Sequence, residues 1–416
     1  MTILCFHNIS ETIFFTVHND DTIRAGPPPK QEMDNYFARA AQLGRFRGVS
    51  AIAFSPEGKL YAVRGEDLYV GPMPSAGKDW FSVARRVGKV DWKNVKTLLF
   101  HPKGDLYVIT KDGGLFKGPA PDNEYVSWLY GRATQIGRKW NTLEAVFFDP
   151  EGMMYAVTSD DRFVKRSPPT SIDDNWTGTS VTIGHGNWRD LTHFMSFTPD
   201  GKLWCVQKDN GNIYYADPPV AGIGVYHAKR VGWNYHINRL NAFTRDKTIQ
   251  RMISLEFLPD LGKVISENLE VVQEKTYDNK RSSVPLKHSF SFTKTIKQSS
   301  EFSHEHGFTC EVGAEMTFKA GIPGIAEQGL KLTVNLSTTH TWSFTETNET
   351  EVSFSSSSDV EVPEGKAIRV IASVRKAEME MPYRAKVRTL FGYETNIEGT
   401  WRGVAHFNLT VAQEDI

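Results

Sequence analysis

The chain has 416 residues, of which 40% are hydrophobic and 23% are charged, as is ordinary for a globular protein of about two domains. Its formal net charge of −1 excludes a global electrostatic attraction to nucleic acid or anionic lipid. No run of about 18 apolar residues occurs, so no transmembrane helix is predicted. Any entry into a bilayer would therefore be made by strands.

The three cysteines, Cys5, Cys205 and Cys310, are widely scattered and predict free thiols rather than a disulfide framework. The first residues, MTILCFHNISETIFF, carry neither a basic n-region nor a long apolar core, so we expect no signal peptide. We accordingly expect a soluble protein that leaves the cell by a non-classical route and acts on a target membrane.

A strand–turn–strand motif containing Phe-x-Pro-x-Gly recurs in the first part of the chain. Its copies are AFSPEGKLYAV (53–63), LFHPKGDLYVI (99–109), FFDPEGMMYAV (147–157) and SFTPDGKLWCV (196–206). Their prolines are 46, 48 and 49 residues apart. Each copy predicts two strands joined by a Pro-Gly turn, and a third short strand follows it, at 68–74, 115–121, 163–169 and 213–219.

A unit of four short strands with this repeat length has the size of one propeller blade. A weaker copy at 5–29 lacks the ARxxxxG strand, and a similar strand reappears at 228–233 as AKRVGW. We therefore predict five blades over residues 1–245, closed because the C-terminal end supplies the last strand of the first blade. The alternative, an open solenoid of hairpins, is disfavoured by this closure pattern.

Each repeat continues with an aromatic residue and a Gly, as in DNYFARAAQLG (34–44), DWFSVARRVG (79–88), SWLYGRATQIG (127–137) and DNWTGTSVTIGHGNW (174–188). These segments resemble the five-bladed tachylectin family, whose blades bind N-acetylated hexosamines. The family's second Gly-Trp element is intact only in GHGNW (184–188). The resemblance implies glycan partners of that type and candidate carbohydrate-binding residues Asn35, Tyr36, Asp79, Trp80, Trp128, Asn175, Trp176 and Trp188.

An aromatic ring beside Asn or Asp also suits sugar chemistry, because the ring packs on C–H groups while the polar side chain binds hydroxyl or acetamide groups. The alternative is that these aromatics wedge neighbouring blades together, a common role for a residue found once per blade. The residues alone leave both interpretations open. The repetition predicts multivalent binding that gains from avidity.

Beyond Lys247, long Ser/Thr-rich alternating stretches at 287–306 and 338–362 predict long strands. Between them, a hairpin is predicted at about 307–344, with Phe318 opposite Leu332 and a nine-residue turn at 321–329. The predicted lipid face, including the apolar turn, comprises Phe308, Val312, Met316, Phe318, Ile322, Ile325, Leu330, Leu332, Val334 and Leu336. The opposite face, which would line the pore, carries Glu311, Glu315, Lys319 and Lys331.

Each arm of this hairpin has 9–13 alternating residues, and a tilted strand needs about 9–11 to cross a bilayer. Two charges of each sign on the lumen face predict weak ion selectivity. The alternative is an ordinary hairpin on a soluble core, which has the same period. The apolar turn with Ile322 and Ile325 favours the membrane interpretation.

A Ser/Thr-rich strand, an amphipathic hairpin, a second Ser/Thr-rich strand and then EVPEGKAIRVIASVRKAEMEMPYRAKVRT (361–389) resemble the aerolysin and epsilon-toxin group, including natterin-like animal members. Val362-Pro363 and Met381-Pro382-Tyr383 carry the resemblance. It implies an elongated aerolysin-like β-sheet module at 246–416, following the five-bladed β-propeller in an all-β chain. In that group the hairpin is a pre-stem that stays folded on the body until protomers form a ring.

These features together predict a glycan-binding, pore-forming cytolysin or defence toxin whose homo-oligomer inserts pooled hairpins into a lipid bilayer. The alternative is a non-lytic agglutinin that uses the C-terminal module only for oligomerisation. HExxH, GxSxG and CxxC elements are missing from the sequence, so we expect neither enzyme activity nor a cofactor. His304-Glu305-His306 offers too few ligands for a metal, and no metal is expected.

Overall fold

The computed structural model of the chain describes residues 12–123, 127–220, 228–304, 307–311, 316–326 and 331–416. This described part is built from strands with a few one-turn helices, which confirms the predicted all-β class. It divides into two compact units between Lys247 and Thr248. The first unit carries the repeats and the second carries the amphipathic hairpin.

The first unit is a five-bladed propeller of four-stranded antiparallel sheets. The first blade contains β1 (Thr12–His18), β2 (Thr22–Gly26) and β3 (Ala41–Arg45). The second and third contain β4 (Val49–Phe54), β5 (Leu60–Arg64), β6 (Asp67–Gly71), β7 (Arg85–Gly88), β8 (Val95–Phe100), β9 (Asp105–Thr110), β10 (Leu115–Pro119) and β11 (Thr134–Gly137). The fourth and fifth contain β12 (Ala145–Phe148), β13 (Met154–Val157), β14 (Arg162–Arg166), β15 (Val181–His185), β16 (Phe194–Phe197), β17 (Leu203–Val206), β18 (Ile213–Ala216) and β19 (Lys229–Gly232).

A closing strand, β20 (Asn238–Arg245), completes the first blade by pairing with β1. The innermost strands of the blades, which are β20, β4, β8, β12 and β16, neighbour one another in a closed cycle. They surround a central cavity of about 670 Å³. The ring is therefore closed, and the open solenoid is excluded.

The strand that closes the ring differs from the predicted one. AKRVGW was expected to complete the first blade, but β19 pairs with β18 and completes the fifth. The exchanged strand is instead β20, which places Phe243 opposite Phe14 with the two rings stacked 4.8 Å apart. The physical reason is that the first blade already has its outer strand, β3, and lacks the inner one.

The Pro-Gly turns form because the glycine of each copy has a positive φ, which is costly for other residues. Gly58 has a φ of 82° and donates its N–H to Ser55 O at 2.9 Å. Gly104, Gly152 and Gly201 repeat this conformation with φ values of 99°, 91° and 83°. The predicted strand–turn–strand units are confirmed at all four positions.

Between the third and fourth strands of four blades lie short helices: α1 (Tyr36–Arg39), α2 (Trp80–Val83), α3 (Trp128–Gly131) and α4 (Trp176–Thr179). Single 3-10 turns follow four of the outer strands, at Asp91–Asn94, Trp140–Thr142, Arg189–Leu191 and Tyr235–Ile237. Each helix and each of these turns thus sits next to an outer strand. This places recurring aromatic residues on both sides of that strand.

The second unit contains a seven-stranded sheet and a separate two-stranded hairpin. Its sheet strands are β21 (Thr248–Phe257), β22 (Lys263–Asp278), β23 (Leu286–His304), β24 (Thr309–Cys310), β27 (Asn348–Val362), β28 (Ala367–Thr389) and β29 (Glu394–Asp415), with a 3-10 turn at Pro259–Leu261. The hairpin strands are β25 (Thr317–Ile325) and β26 (Leu332–Ser343). β25 and β26 pair only with each other among the described strands.

The long strands β23 and β27 correspond to the two Ser/Thr-rich stretches. They pair antiparallel without a bulge from Leu286 opposite Val362 to Ser300 opposite Asn348. Past this point β23 pairs on its other side with β29, where Phe302 lies opposite Trp401. The segment between β23 and β27 thus leaves the long ladder and packs elsewhere.

Candidate functional site

The first candidate site lies at the blade junctions, where each short helix begins with a large aromatic residue. The residue before it caps the helix in three blades: Asn35 Oδ1 accepts from Ala38 N at 3.2 Å, Asp79 Oδ1 from Phe81 N at 3.2 Å, and Asn175 Oδ1 from Gly178 N at 3.3 Å. Such caps satisfy helix N–H groups that otherwise lack partners. The three capping side chains themselves remain exposed to solvent.

The aromatic side chains at these junctions are buried and hydrogen-bonded to the backbone. Trp80, Trp128 and Trp176 donate their indole N–H to a carbonyl at the end of the preceding strand: Pro72 O at 2.7 Å, Pro119 O at 2.9 Å and Ser167 O at 2.8 Å. Tyr36 donates its hydroxyl to Phe14 O at 2.7 Å. Their polar atoms are therefore satisfied inside the blade.

In four of the blades, a second aromatic packs across the junction. Phe46, Trp92 and Trp140 lie 5.3 Å, 5.6 Å and 5.2 Å, between ring centroids, from Trp80, Trp128 and Trp176 of the next blade. Tyr235 of the last blade lies 6.0 Å from Tyr36 of the first and so continues this contact across the closure. The spacing of the Gly-Trp element varies, but an aromatic residue is retained in every blade.

A glycine precedes this second aromatic because the aromatic ring lies so close to the glycine backbone that no Cβ would fit. A Cβ at Gly88, Gly137 or Gly184 would collide with the indole of Trp92, Trp140 or Trp188, respectively. Trp188, the remaining candidate, is itself buried, with its ring 4.5 Å from that of Phe163. Sequence reasoning counted only this copy as intact because it compared the whole Gly-His-Gly-Asn-Trp string. Gly88 and Trp92 have the same spacing and the same contact as Gly184 and Trp188.

The structure therefore gives the junction aromatics the wedging role that the sequence left as an alternative. Their rings are covered by the neighbouring blade. The polar caps Asn35, Asp79 and Asn175 are the members of the candidate set that reach solvent. Direct sugar binding by the candidate residues stays a prediction.

The second candidate site is the hairpin β25–β26, whose pairing differs from the prediction. Phe318 lies opposite Trp342 rather than Leu332, and Leu332 lies opposite Ile325. The residues 321–325, predicted as part of the turn, continue β25. Burial of Trp342 and of the neighbouring Phe344 in the core of the unit accounts for this register, which the alternation of apolar residues cannot specify.

The predicted lipid face is packed against the body of the second unit. Phe308, Met316 and Leu332 are buried there, and Phe318, Ile322, Ile325 and Val334 are half-buried against the same core. Leu336 is the exception because 79% of its surface is exposed. Val312 and Leu330 lie outside the described residues.

The predicted lumen face carries polar residues at the surface of the packed hairpin. Lys319 and Lys331 are exposed and Glu311 is half-buried. Glu311 donates its backbone N–H to Ile249 O at 3.0 Å, next to the parallel pairing of β24 with β21. Glu315 lies outside the described residues. The pairing in the inserted state, and hence these two faces, stay predictions.

An aromatic cluster under the hairpin was missed by sequence reasoning. Phe302 of β23 contacts Phe318 at 5.5 Å, Trp342 at 5.7 Å and Phe344 at 5.6 Å between ring centroids. Tyr383 of β28 contacts Phe302 at 5.5 Å. These residues are far apart in sequence. The signal that could have found them is the large number of aromatic residues in and around the hairpin segment, rather than its alternation of apolar and polar residues.

Two titratable side chains lie at the base of the hairpin. The His304 ring stacks on Phe344 at 5.1 Å between centroids, and burial lowers its pKa, partly offset by a hydrogen bond with the Phe308 backbone. Burial also raises the pKa of the Cys310 thiol to about 11. Both groups are therefore kept uncharged at neutral pH while the hairpin is packed.

Metal chemistry finds no support among the described residues, which contain no group of three or more His, Cys, Asp or Glu that could hold an ion. Glu305 and His306 of the His-Glu-His motif lie outside those residues. Within the same part of the chain, no helix is long and apolar enough to cross a membrane.

The chain thus combines a lectin-like propeller, with blades wedged by aromatic residues, and a sheet module with a packed amphipathic hairpin, which resembles the modules of pore-forming toxins. Residues 16–240 match the family model described as Tachylectin, and the chain belongs to this family. Residues 234–401 match the model of Clostridium epsilon toxin ETX/Bacillus mosquitocidal toxin MTX2. Both resemblances drawn from the sequence are thereby confirmed.

Several solved structures are similar to parts of this chain. A symmetrical protein from a study of de novo evolutionary emergence matches with a TM-score of 0.50 and 28% identity, over 55% of this chain and 97% of its own. The Lamprey immune protein matches with a TM-score of 0.33 and 14% identity, over 75% and 87%. An aerolysin-like protein of Bombina maxima matches with a TM-score of 0.25 and 13% identity, over 39% and 97%. No curated protein matches the chain.

Proposed function

We propose that the protein binds cell-surface glycans through its propeller, assembles there with further copies of itself, and inserts β25–β26 into the bilayer as part of a β-barrel. One observation carries the proposal. Most of the alternating apolar segment, β25–β26, forms a separate hairpin packed against its own module, and the short strand β24 pairs only at the edge of the sheet, with β21. Such a segment can leave without dismantling the seven-stranded sheet.

The energy of this packing explains why the hairpin stays folded in water. Full burial of a Met or Leu side chain contributes about 1.5–3 kcal/mol, so Met316 and Leu332 together hold the hairpin with roughly 3–6 kcal/mol. Exposure to water would lose this contribution. Transfer into lipid would keep it, because the hydrocarbon core is as apolar as the protein core.

Assembly is required by hydrogen bonding. A lone hairpin in hydrocarbon would leave the N–H and C=O groups of its outer edges without partners, at several kcal/mol each. A closed barrel of hairpins from several protomers satisfies these groups. We infer that the homo-oligomer forms before or during insertion.

The propeller supplies the attachment. We propose N-acetylated hexosamines as its ligands, on the strength of the family membership and of the exposed polar caps Asn35, Asp79 and Asn175 next to the junctions. Several weak sites on one ring would bind a glycan-bearing surface with avidity. The function is thus binding and membrane insertion without catalysis, performed outside the cell that makes the protein.

Dye release from liposomes tests the proposal. Liposomes that carry a glycolipid ending in N-acetylglucosamine should leak when the protein is added, and free N-acetylglucosamine should suppress the leakage. Liposomes of the same lipids without the glycolipid serve as the control and should leak far less. Clumping of the glycolipid liposomes without dye release would contradict pore formation and support the agglutinin alternative.

A further inference from the structure

The long ladder β23–β27 contains information about how the hairpin would be paired after release. Over its whole length each step forward on β23 matches one step back on β27, from Leu286 opposite Val362 to Ser300 opposite Asn348. Because a regular antiparallel ladder has a fixed register, its continuation specifies every later pair. Continued past Ser300, it places Phe308 opposite His340, Met316 opposite Leu332 and Thr317 opposite Lys331.

The packed hairpin has a different register. Thr317 lies opposite Ser343 and Phe318 opposite Trp342. In the continued ladder, the partner of Thr317 would be Lys331 instead of Ser343, which is a shift of twelve residues. A bulge between Ala320 and Ile322 then changes the packed register again, so that Ile322 lies opposite Asn335.

The continued register suits a bilayer better than the packed one. It pairs apolar Met316 with apolar Leu332 and keeps the even-numbered residues of both arms on one face, as a lipid-facing surface requires. It also places Pro323-Gly324 at the tip, where this dipeptide favours a tight turn. In the packed hairpin, Pro323 lies within β25 opposite Val334, where its ring lacks an N–H for the ladder.

The structure also shows what interrupts the ladder. The Asn348 side chain closes a turn by accepting from Ser343 N at 2.6 Å and donating to Ser343 O at 2.7 Å. Beside this turn, His304 and Phe344 already stack on each other, and the continued ladder would place them directly opposite. Opening of the turn closed by Asn348 would therefore let pairing resume from the existing ladder outward.

We propose that β25–β26 is stored in a register that cannot serve in the pore, and that insertion requires the hairpin to separate and re-pair by twelve residues as a continuation of β23–β27. This proposal rests on the proposed pore function. It adds a second energy barrier to insertion, which is the separation and re-pairing of β25 and β26. Detachment from the body and re-pairing are then separate steps, and each can be blocked on its own.

Cysteine pairs in a background with Cys5, Cys205 and Cys310 replaced by serine separate these steps. The Thr317→Cys/Lys331→Cys pair reports the continued register, since its members lie twelve positions out of register in the packed hairpin. The Lys319→Cys/Thr341→Cys pair is directly opposed in the packed hairpin and locks that register. All four replaced side chains are exposed, so the packed fold should tolerate them.

A third pair locks the hairpin to the body without fixing its register by itself. A Cβ at Gly262, next to the Pro259–Leu261 turn, would meet Leu332 Cδ1, so Gly262→Cys/Leu332→Cys can bridge the two. The Lys319→Cys/Lys331→Cys pair is the matched control for the reporter. It shares Lys331→Cys and is two residues out of the continued register, but it is directly opposed in the register that pairs Phe318 with Leu332, so the two yields distinguish these registers.

On leaking glycolipid liposomes, the Thr317→Cys/Lys331→Cys pair should become cross-linked within one chain, in higher yield than its control, and should stay uncross-linked in solution. The oxidised Lys319→Cys/Thr341→Cys protein should lose leakage and regain it on reduction. Undiminished leakage from that fully oxidised protein, with leakage abolished by the Gly262→Cys/Leu332→Cys bridge, would overturn re-pairing while leaving the pore function intact. No leakage from the unlocked protein would overturn both.

Discussion

Tryptophans bury their rings in both units, but they are held in different ways. At the blade junctions, Trp80 and Trp128 donate to carbonyls of their own blade and pack against an aromatic of the preceding one. In the second unit, Trp342 donates to Ala320 O at 3.3 Å within the hairpin, while its ring packs on the aromatics of the body. The junction contacts lie between sheets of the propeller, whereas the Trp342 contacts join the hairpin to the body, the two parts that we propose separate on insertion.

Equal burial therefore does not imply an equal role. Loss of a junction aromatic should harm the stability of the propeller, and loss of a hairpin–body contact should favour release of the hairpin. Stability measurements and leakage measurements should respond to different substitutions.

The largest effect is expected at a blade junction. Trp128→Ala should lower the free energy of unfolding of the propeller by about 3–5 kcal/mol, because it opens a cavity between two blades and leaves Pro119 O without its donor. Trp233→Ala, at a tryptophan that is 48% exposed, is the control and should change little. Chemical denaturation followed by intrinsic fluorescence measures both, and equal losses would contradict the wedging role.

A charge on the predicted lipid face should come next. Phe318→Lys should reduce liposome leakage by at least about tenfold, since a lysine at the bilayer midplane costs about 2–4 kcal/mol. The neighbouring Thr317→Lys adds the same charge on the predicted lumen face and should retain leakage. Sugar binding should be unchanged in both proteins. Equal leakage from the two would show that the hairpin faces are not those proposed.

Protonation of His304 should weaken the packed state by a smaller amount. Because its pKa is lowered in the packed hairpin, the packed state is fully stable above the ordinary histidine pKa of about 6.5 and loses stability as the pH falls below it. Leakage should therefore accelerate between about pH 7.5 and about pH 5.5. His304→Phe keeps a ring on Phe344 and should flatten this pH dependence; an unchanged profile would exclude His304 as its source.

The smallest effect concerns ion selectivity. Glu311, Glu315, Lys319 and Lys331 balance one another on the predicted lumen face, so a planar-bilayer reversal potential should show weak selectivity. Lys319→Glu combined with Lys331→Glu should shift the reversal potential towards cation preference without reducing leakage. A strong preference in the unaltered protein would contradict this assignment of the lumen.

The fold was predictable from sequence to the extent that local signals determine it. Pro56 and Gly58, with their counterparts, fix the strand–turn–strand units and hence the blades. The closing strand was misassigned because β19 and β20 both follow β18 in the chain, and only long-range pairing with β1 distinguishes them. The same limit applies to pairing in the hairpin, where one alternating pattern is compatible with several registers.

The sequence predicted many of the residues that form the candidate sites, but not how those residues pack in space. The alternation from Phe308 to Leu336 correctly singled out β25 and the start of β26 as a hairpin, but Thr309–Cys310 of the same stretch pairs with β21 in the sheet instead. It could not show that Phe302 and Tyr383 would cover it, because those contacts depend on distant strands. At the junctions, the aromatic repeat was visible, but its burial depends on the neighbouring blade.

The proposed function requires that the hairpin leave the body of its own module to form a pore. Dye release from glycolipid liposomes should be compared for the Gly262→Cys/Leu332→Cys protein before and after reduction, with Leu332→Cys alone as the control, because a Cβ at Gly262 would meet an intact Leu332 side chain. We expect no release while the bridge is intact, full release once it is reduced, and release from the control in both conditions. Release from the fully bridged protein at the rate of the control would contradict the proposed function.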